Sequence, residues 1–248
     1  MTFGSELRRW RAHRRLSQLD LALEAQVSPR HLSFLETGRA QPSRTMVARL
    51  GRALDVPLGG LNVLMTAAGF APAHRRSDLS EAHMARVGAA MARIVDRHDP
   101  WPGFVLDADW RLVRVNACAG RLFAPLGLGV GDSLLAAFTT PGFGAEVIEN
   151  WPEVARHFAT RLSTESRAAG GNALLDQATR VLLSDPQVGA DTPETDAPIL
   201  PTIYRFGGLR LAFFSTFVTF QGARDVSLAD LKVELLFPAD AATEAALT

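Results

Sequence analysis

The sequence predicts an α+β chain, with a head of five short helices followed by a second, mixed domain of strands and helices. Three observations carry this. Up to about residue 68, apolar side chains recur every three or four positions between capping residues. From Pro100 onward, strand-length apolar segments bounded by turns alternate with longer amphipathic helices. Charge also divides along the chain although it sums to zero: residues 1–76 hold 12 Arg against 5 Asp and Glu, a net of +7, and residues 77–248 hold 14 basic against 21 acidic side chains, a net of −7. A length of 248 residues is enough for two cores.

Phe3 to Arg15 reads as the first helix, with Leu7 and Trp10 inward and Arg8, Arg9, Arg14 and Arg15 outward. Ser17 is an N-cap, Leu19, Ala22 and Leu23 follow at helical spacing, and Asp20 suits the positive end of the helix dipole. A second helix therefore runs from about Gln18 to Ala25. Ser28 caps a third, where Pro29 takes the first helical position, Leu32 and Leu35 face inward, and Gly38 is free to make a left-handed stop. Only Gln26 and Val27 separate the two, which forces a steep crossing. The outer face of the third helix, Arg30, His31, Ser33 and Phe34, then stands clear, a cationic rod of a shape to enter a groove. Ser43 caps a fourth helix with Val47, Leu50 and Leu54 inward, stopped at Asp55-Val56-Pro57. The fifth, Leu58 to Ala68, carries Leu61, Leu64 and Met65.

Gly69 to Asp78 is rich in turn formers and reads as a linker. Leu79 to His98 is a connecting helix whose stripe, Met84, Val87, Met91, Ile94 and Val95, must lie against the C-terminal core or the same helix of a second chain. The expected division is residues 1–69, then 70–99 as linker and connecting helix, then 100–248. In that last part, Phe104 to Leu106 and Leu112 to Val115 read as strands around a turn at Asp107-Ala108-Asp109, with a helix opening at Asn116 and a loop at Gly127 to Gly131. Trp151 to Ala168 and Ala173 to Leu183 are amphipathic helices. The acidic, proline-bearing stretch from Ser184 to Pro198 reads as a surface loop. Leu200 to Phe206 and Leu209 to Phe220 form a hairpin across Gly207-Gly208, and Ser227, with Asp230 three residues on, opens a last helix that ends at Phe237-Pro238.

At Arg11, Leu16-Ser17-Gln18, Leu21-Ala22, Val27-Ser28, Leu32-Ser33, Leu35-Glu36, Gly38-Arg39 and Pro42 the chain resembles the phage-repressor-like (Cro and XRE) helix-turn-helix family, from about Leu7 to Leu64. The resemblance implies a lambda-repressor-like fold and double-stranded DNA as partner. It places Gln18 against a backbone phosphate, Pro29, Arg30, His31 and Phe34 toward base edges, and Arg39 and Ser43 on phosphates beyond the recognition helix; Ser28 and Ser33 complete the candidate DNA-binding set. It pairs Arg11 with Glu36. Glutamines common at the base-reading positions are absent, so reading rests mainly on Arg30 and His31, with Phe34 available to a thymine methyl.

The second half resembles the MmyB-like ligand-binding domain, through VLDADWRLVRVNACAGRLF, NWPEVARHFATRL and, above all, STFVTFQGARDVSLADLKVELLFPADAATEAAL. That likeness implies a PAS-like α/β sensor and, for some relatives, a bound fatty acid. The stretch from Asp191 to Asp196 and the TTPGF at Thr139 to Phe143 depart from the family pattern.

Eleven of the fourteen phenylalanines lie between Phe104 and Phe237, and most serve as packing. Trp151 and Phe158, seven apart, share a helix face opposite Phe213 and Phe217 on one side of a strand; with Asn116 as the polar group these are the candidate pocket. His157 or Arg205 could meet an acidic ligand head, although a solvated role is the plainer reading of each. No catalytic constellation, phosphate-cradling glycine loop or metal-spaced cluster is legible, so no enzyme, metal or cofactor is expected beyond a fatty acid or similar small apolar ligand. Cys118 cannot form an internal disulfide and reads as a small buried residue. No apolar run approaches the roughly 18 to 20 residues that cross a bilayer, so no membrane partner is expected and the place of action is the cytoplasm, at the nucleoid. The resulting expectation is a repressor that binds a pseudo-palindromic operator as a homodimer and answers to a small hydrophobic molecule. The alternative is a ligand-independent DNA-binding protein whose C-terminal domain only oligomerises.

Overall fold

All five helices of the head end in the same way. In the computed structural model, which describes residues 2–188, 198–206 and 208–248, these are α1 (Phe3–His13), α2 (Gln18–Glu24), α3 (Pro29–Thr37), α4 (Arg44–Ala53) and α5 (Leu58–Ala67). After each comes one residue in the left-handed region: Arg15, Gln26, Gly38, Asp55 and Gly69. The next amide then reaches back five residues, as from Val27 N–H to the Ala22 carbonyl at 2.8 Å and from Arg39 N–H to the Phe34 carbonyl at 2.9 Å. This Schellman-type closure satisfies orphan carbonyls, and in three of the five it is made without glycine.

The chain folds as two units, one of residues 1–76, 164–173 and 223–226 and the other of residues 77–163, 174–222 and 227–248. In the first, Leu7, Trp10, Leu21, Leu32, Leu35, Val47, Leu50, Leu54 and Leu64 form the head core. The face that α2 buries differs from the expected one. Leu21, Ala22 and Ala25 are inside, whereas Leu19 is 56 % and Leu23 69 % exposed. Both sets have helical spacing, and packing with Leu32 and Leu35 of α3 in the head core selects between them.

In the second unit, a short 3₁₀ turn leads into α6 (Ala85–Asp96), then β1 (Gly103–Leu106), β2 (Leu112–Val115), α7 (Ala117–Phe123), α8 (Leu134–Thr139), α9 (Phe143–Val147), α10 (Trp151–Ala168) and α11 (Ala173–Leu183). β3 (Thr202–Phe206), β4 (Leu209–Val218), α12 (Val226–Asp230), β5 (Lys232–Pro238) and α13 (Ala241–Leu247) complete it. Among the described residues, five strands form one antiparallel sheet in the order β2-β1-β5-β4-β3. The architecture is α+β. α6 lays its stripe on this sheet: Met91 and Val95 pack with Val105, Leu231 and Val233. The larger core, on the other face, runs from Phe104, Leu106 and Trp110 through Trp151, Phe158 and Leu162 to Phe213 and Leu236.

β5 corrects the sequence reading. The sequence predicts a last helix from Ser227 to Phe237, but the helix stops at Asp230 and Lys232–Pro238 becomes the central strand, between β1 and β4. A central strand buried on both faces loses the plain alternation that marks a half-exposed one. Val233 enters the α6 cluster, Leu236 the opposite core. The short α8, α9 and α13 are not predicted by periodicity either. Of the expected loop from Ser184 to Pro198, residues 189–197 lie outside the described residues, as does Gly207 of the expected hairpin turn.

Candidate nucleic-acid interface and ligand cavity

The projecting helix is set by its caps. Ser17 and Asp20 form a reciprocal capping box on α2, and the Ser28 hydroxyl accepts from His31 N–H at 3.2 Å to start α3 with Pro29 in its first turn. Pro29 and Arg30 are exposed, and His31, Ser33 and Phe34 half-exposed. Phe34 lies under two cations, the Arg30 guanidinium 5.4 Å and that of Arg39 6.0 Å from its ring centroid. Ser43 caps α4 by accepting from Met46 N–H at 3.2 Å.

Glu36 holds this arrangement to the rest of the head. Only 4 % exposed, it receives Arg11 Nε at 2.6 Å and Arg11 Nη2 at 3.0 Å, with Gln18 Nε2 at 2.7 Å. Arg8 adds an N–H bond of 3.2 Å to the Glu36 backbone carbonyl. Burial pushes the Glu36 carboxyl up, but the hydrogen bonds from Arg11 and Gln18 and the charges of Arg11 and Arg8 outweigh it and hold the group below its ordinary range. The bidentate pair is the one the sequence resemblance implied; the part played by Gln18 is additional, and ties one amide hydrogen of a candidate phosphate contact to the carboxylate. Two of the arginines read as outward-facing also have structural partners. Arg9 bonds the buried Glu6 at 2.7 Å, and Arg14 donates to the carbonyls of Leu54 at 2.8 Å and Asp55 at 2.7 Å, fastening the end of α4 to α1.

The second unit encloses a cavity of about 290 Å³ between the sheet and α10, near the lower end of the usual size for small-molecule sites. Trp151 and Phe158 on the helix and Phe213 and Phe217 on β4 all line it. Asn116 does not. It is 4 % exposed, and its side chain is consumed locally: Oδ1 accepts from Gly103 N–H at 3.1 Å and Ala119 N–H at 2.8 Å, while Nδ2 donates to the carbonyls of Val95 at 3.2 Å and Trp101 at 2.8 Å. An N-cap whose amide is fully satisfied has no hydrogen-bonding capacity left for a ligand. Arg205 is likewise away from the cavity, exposed and paired with Glu149 at 3.0 Å; His157 lines it.

Several lining residues were not singled out in the sequence. Trp110 sits at φ +58, a conformation rare for a bulky side chain, in a turn where the Asp107 carboxylate accepts from Asp109 and Arg111 N–H at 2.9 Å each. The Trp151 indole N–H donates to Asp185 at 2.9 Å, fixing the ring in the wall. Tyr204 is buried, and burial first and the nearby Glu234 charge second hold its phenol above its ordinary range. Arg161, Thr202, Ser215 and Glu234 supply further polar groups. Glu234 is not legible as a lining residue in the sequence, because the helix expected there gives way to β5 only through pairing with β1 and β4. Cys118 is buried, which raises its thiol pKa. No helix among the described residues is long and apolar enough to cross a membrane.

Comparison with known proteins assigns both parts. Residues 2–64 match a helix-turn-helix domain family, and residues 87–248 match the MmyB-like transcription regulator ligand binding domain. Neither family is enzymatic. The chain is also similar to multiprotein-bridging factor 1 of Debaryomyces hansenii, 35 % identical over 63 residues, which are 25 % of this chain and 42 % of that protein. The chain thus spans less than half the length of that curated relative. With a helix-turn-helix head and a cavity-bearing second unit both matched, the chain belongs to the family that carries the MmyB-like transcription regulator ligand binding domain.

Proposed function

We propose that the protein is a repressor that binds a pseudo-palindromic operator as a homodimer in the cytoplasm, at the nucleoid, and that a small hydrophobic molecule in the cavity modulates this binding. The aromatic cavity of about 290 Å³, inside the unit that matches a ligand-binding family, carries the reading. One small head offers few contacts; two related by a dyad match half-sites about one DNA turn apart. Arg30 and His31 read base edges with Ser28, Pro29, Ser33 and Phe34 beside them, and Gln18, Arg39 and Ser43 hold phosphates. A ligand shifts operator affinity only by preferring one arrangement of the protein, so the two affinities are reciprocally coupled.

Native mass spectrometry of protein purified from cells is expected to show the chain with a small apolar molecule retained, and adding the extracted molecule to apo protein should shift its operator affinity. Bare chain in every preparation, with operator affinity indifferent to cell extracts, would leave the second unit as an oligomerisation module. Arg30→Ala is expected to preserve the fold while removing about 1–3 kcal/mol of discrimination at one base pair. A site-selection experiment that returns an unchanged sequence preference would clear Arg30 of base reading.

A further inference from the structure

The polar lining of the cavity narrows the chemistry of the molecule it takes, an inference that rests on the ligand reading above. Alternation along β5 turns Glu234 and Leu236 to the cavity, and the register sets Glu234 between Phe104 on β1 and Phe217 on β4. From α10, the Arg161 guanidinium lies 3.2 Å from the centroid of the Phe217 ring and 4.5 Å from that of Trp110. It therefore reaches the sheet beside Glu234, since directly paired side chains on one face stand only about 5 Å apart. Lys232, two residues earlier on β5, holds its ammonium 4.2 Å from the Trp110 centroid. The Glu234 charge acts on the buried Tyr204 phenol, so the carboxylate is felt across the pocket. One wall of an otherwise apolar cavity thus already contains both signs of charge, with the hydroxyls of Thr202, Tyr204 and Ser215 on neighbouring positions of β3 and β4.

We infer that the ligand is an apolar molecule whose polar end is uncharged and both donates and accepts hydrogen bonds, such as an amide or alcohol, rather than an ionised carboxylate or an ammonium. An incoming carboxylate gains Arg161 only in competition with Glu234, and brings a second anion into a space of low dielectric. An ammonium meets the converse difficulty at Arg161. A neutral donor–acceptor group is served by both signs and displaces neither.

Four probes with the same chain length test this on the intact protein stripped of bound lipid: decanamide, decan-1-ol, decanoic acid and decylamine, titrated calorimetrically near neutral pH. The amide and the alcohol are expected to bind at least about tenfold more tightly than the acid and the amine. Acid or amine binding as tightly as the amide overturns the inference while leaving the cavity reading in place. Absence of saturable binding by all four overturns the cavity reading, and this inference with it. Glu234→Gln, checked for folding by circular dichroism, is expected to improve the acid relative to the amide by about tenfold; an unchanged ratio removes Glu234 from the selection. The comparison among probes on the unaltered chain does not depend on that variant.

Discussion

Raising salt from 50 to 200 mM is expected to lower the affinity of the proposed homodimer for its operator about a thousandfold. The head exposes cations such as Arg15, Arg39 and Arg49, and on the proposed function three phosphates neutralised by each head make six for a pair. Each neutralised phosphate releases condensed counterions, giving a slope of log affinity against log salt of about −5. The head concentrates this effect, because its net charge is +7 while the remainder of the chain carries −7. Fluorescence anisotropy on a short duplex across that salt range measures the slope. A slope near zero would mean that backbone phosphates are not what the head holds. Arg39→Ala should reduce the slope by about two for the dimer, one contact per head, without changing the preferred sequence.

The largest effect on stability is expected for Arg11→Ala. Glu36 is buried and takes two hydrogen bonds from Arg11, and removing one partner of a buried pair costs about 3–5 kcal/mol because the other charge is left uncompensated. Gln18 and Arg8 still face the carboxylate, which places the expected loss near the lower end. Against a domain stability of about 5–15 kcal/mol, that leaves the head marginal. Replacing both partners, Arg11→Met with Glu36→Leu, should cost far less, since no buried charge remains. The sign of the pH dependence follows from Glu36 being held below its ordinary value of 4.5. A depressed carboxyl stabilises the fold above that value, and the contribution is lost as pH falls through the native pKa. Urea unfolding should therefore show a wide gap between the native protein and Arg11→Ala at neutral pH that narrows below about pH 4.5. Equal midpoints at neutral pH would show that the ion pair does not stabilise the crossing of α1 and α3.

What could be read from the residues alone is what short-range physics decides. Ser17, Ser28, Ser43 and Asn116 each cap a helix in the structure, because a cap bonds an amide within three residues of itself. Gly38 takes the left-handed stop and Trp151–Ala168 runs as an unbroken helix, both set by local preference. The charge division and the turn of only Gln26 and Val27 between two helices are equally local. The choice between candidate faces and partners was not. Leu19 and Leu23 had helical spacing, yet α3 crosses the face carrying Leu21 and Ala25. LKVELLFP satisfied both helix and strand, and only pairing with β1 and β4, whose residues lie far away in sequence, made it the centre of the sheet. Asn116 met the composition of a pocket residue but was claimed by four backbone groups brought around it by folding. Glu234 and Arg161 become neighbours of one cavity through the same long-range pairing. The sequence by itself determined which segments become helices at the head and what charge they present. Which side chains share an enclosed space was decided by the tertiary structure, because that depends on contacts between segments whose separation along the chain carries no local signal.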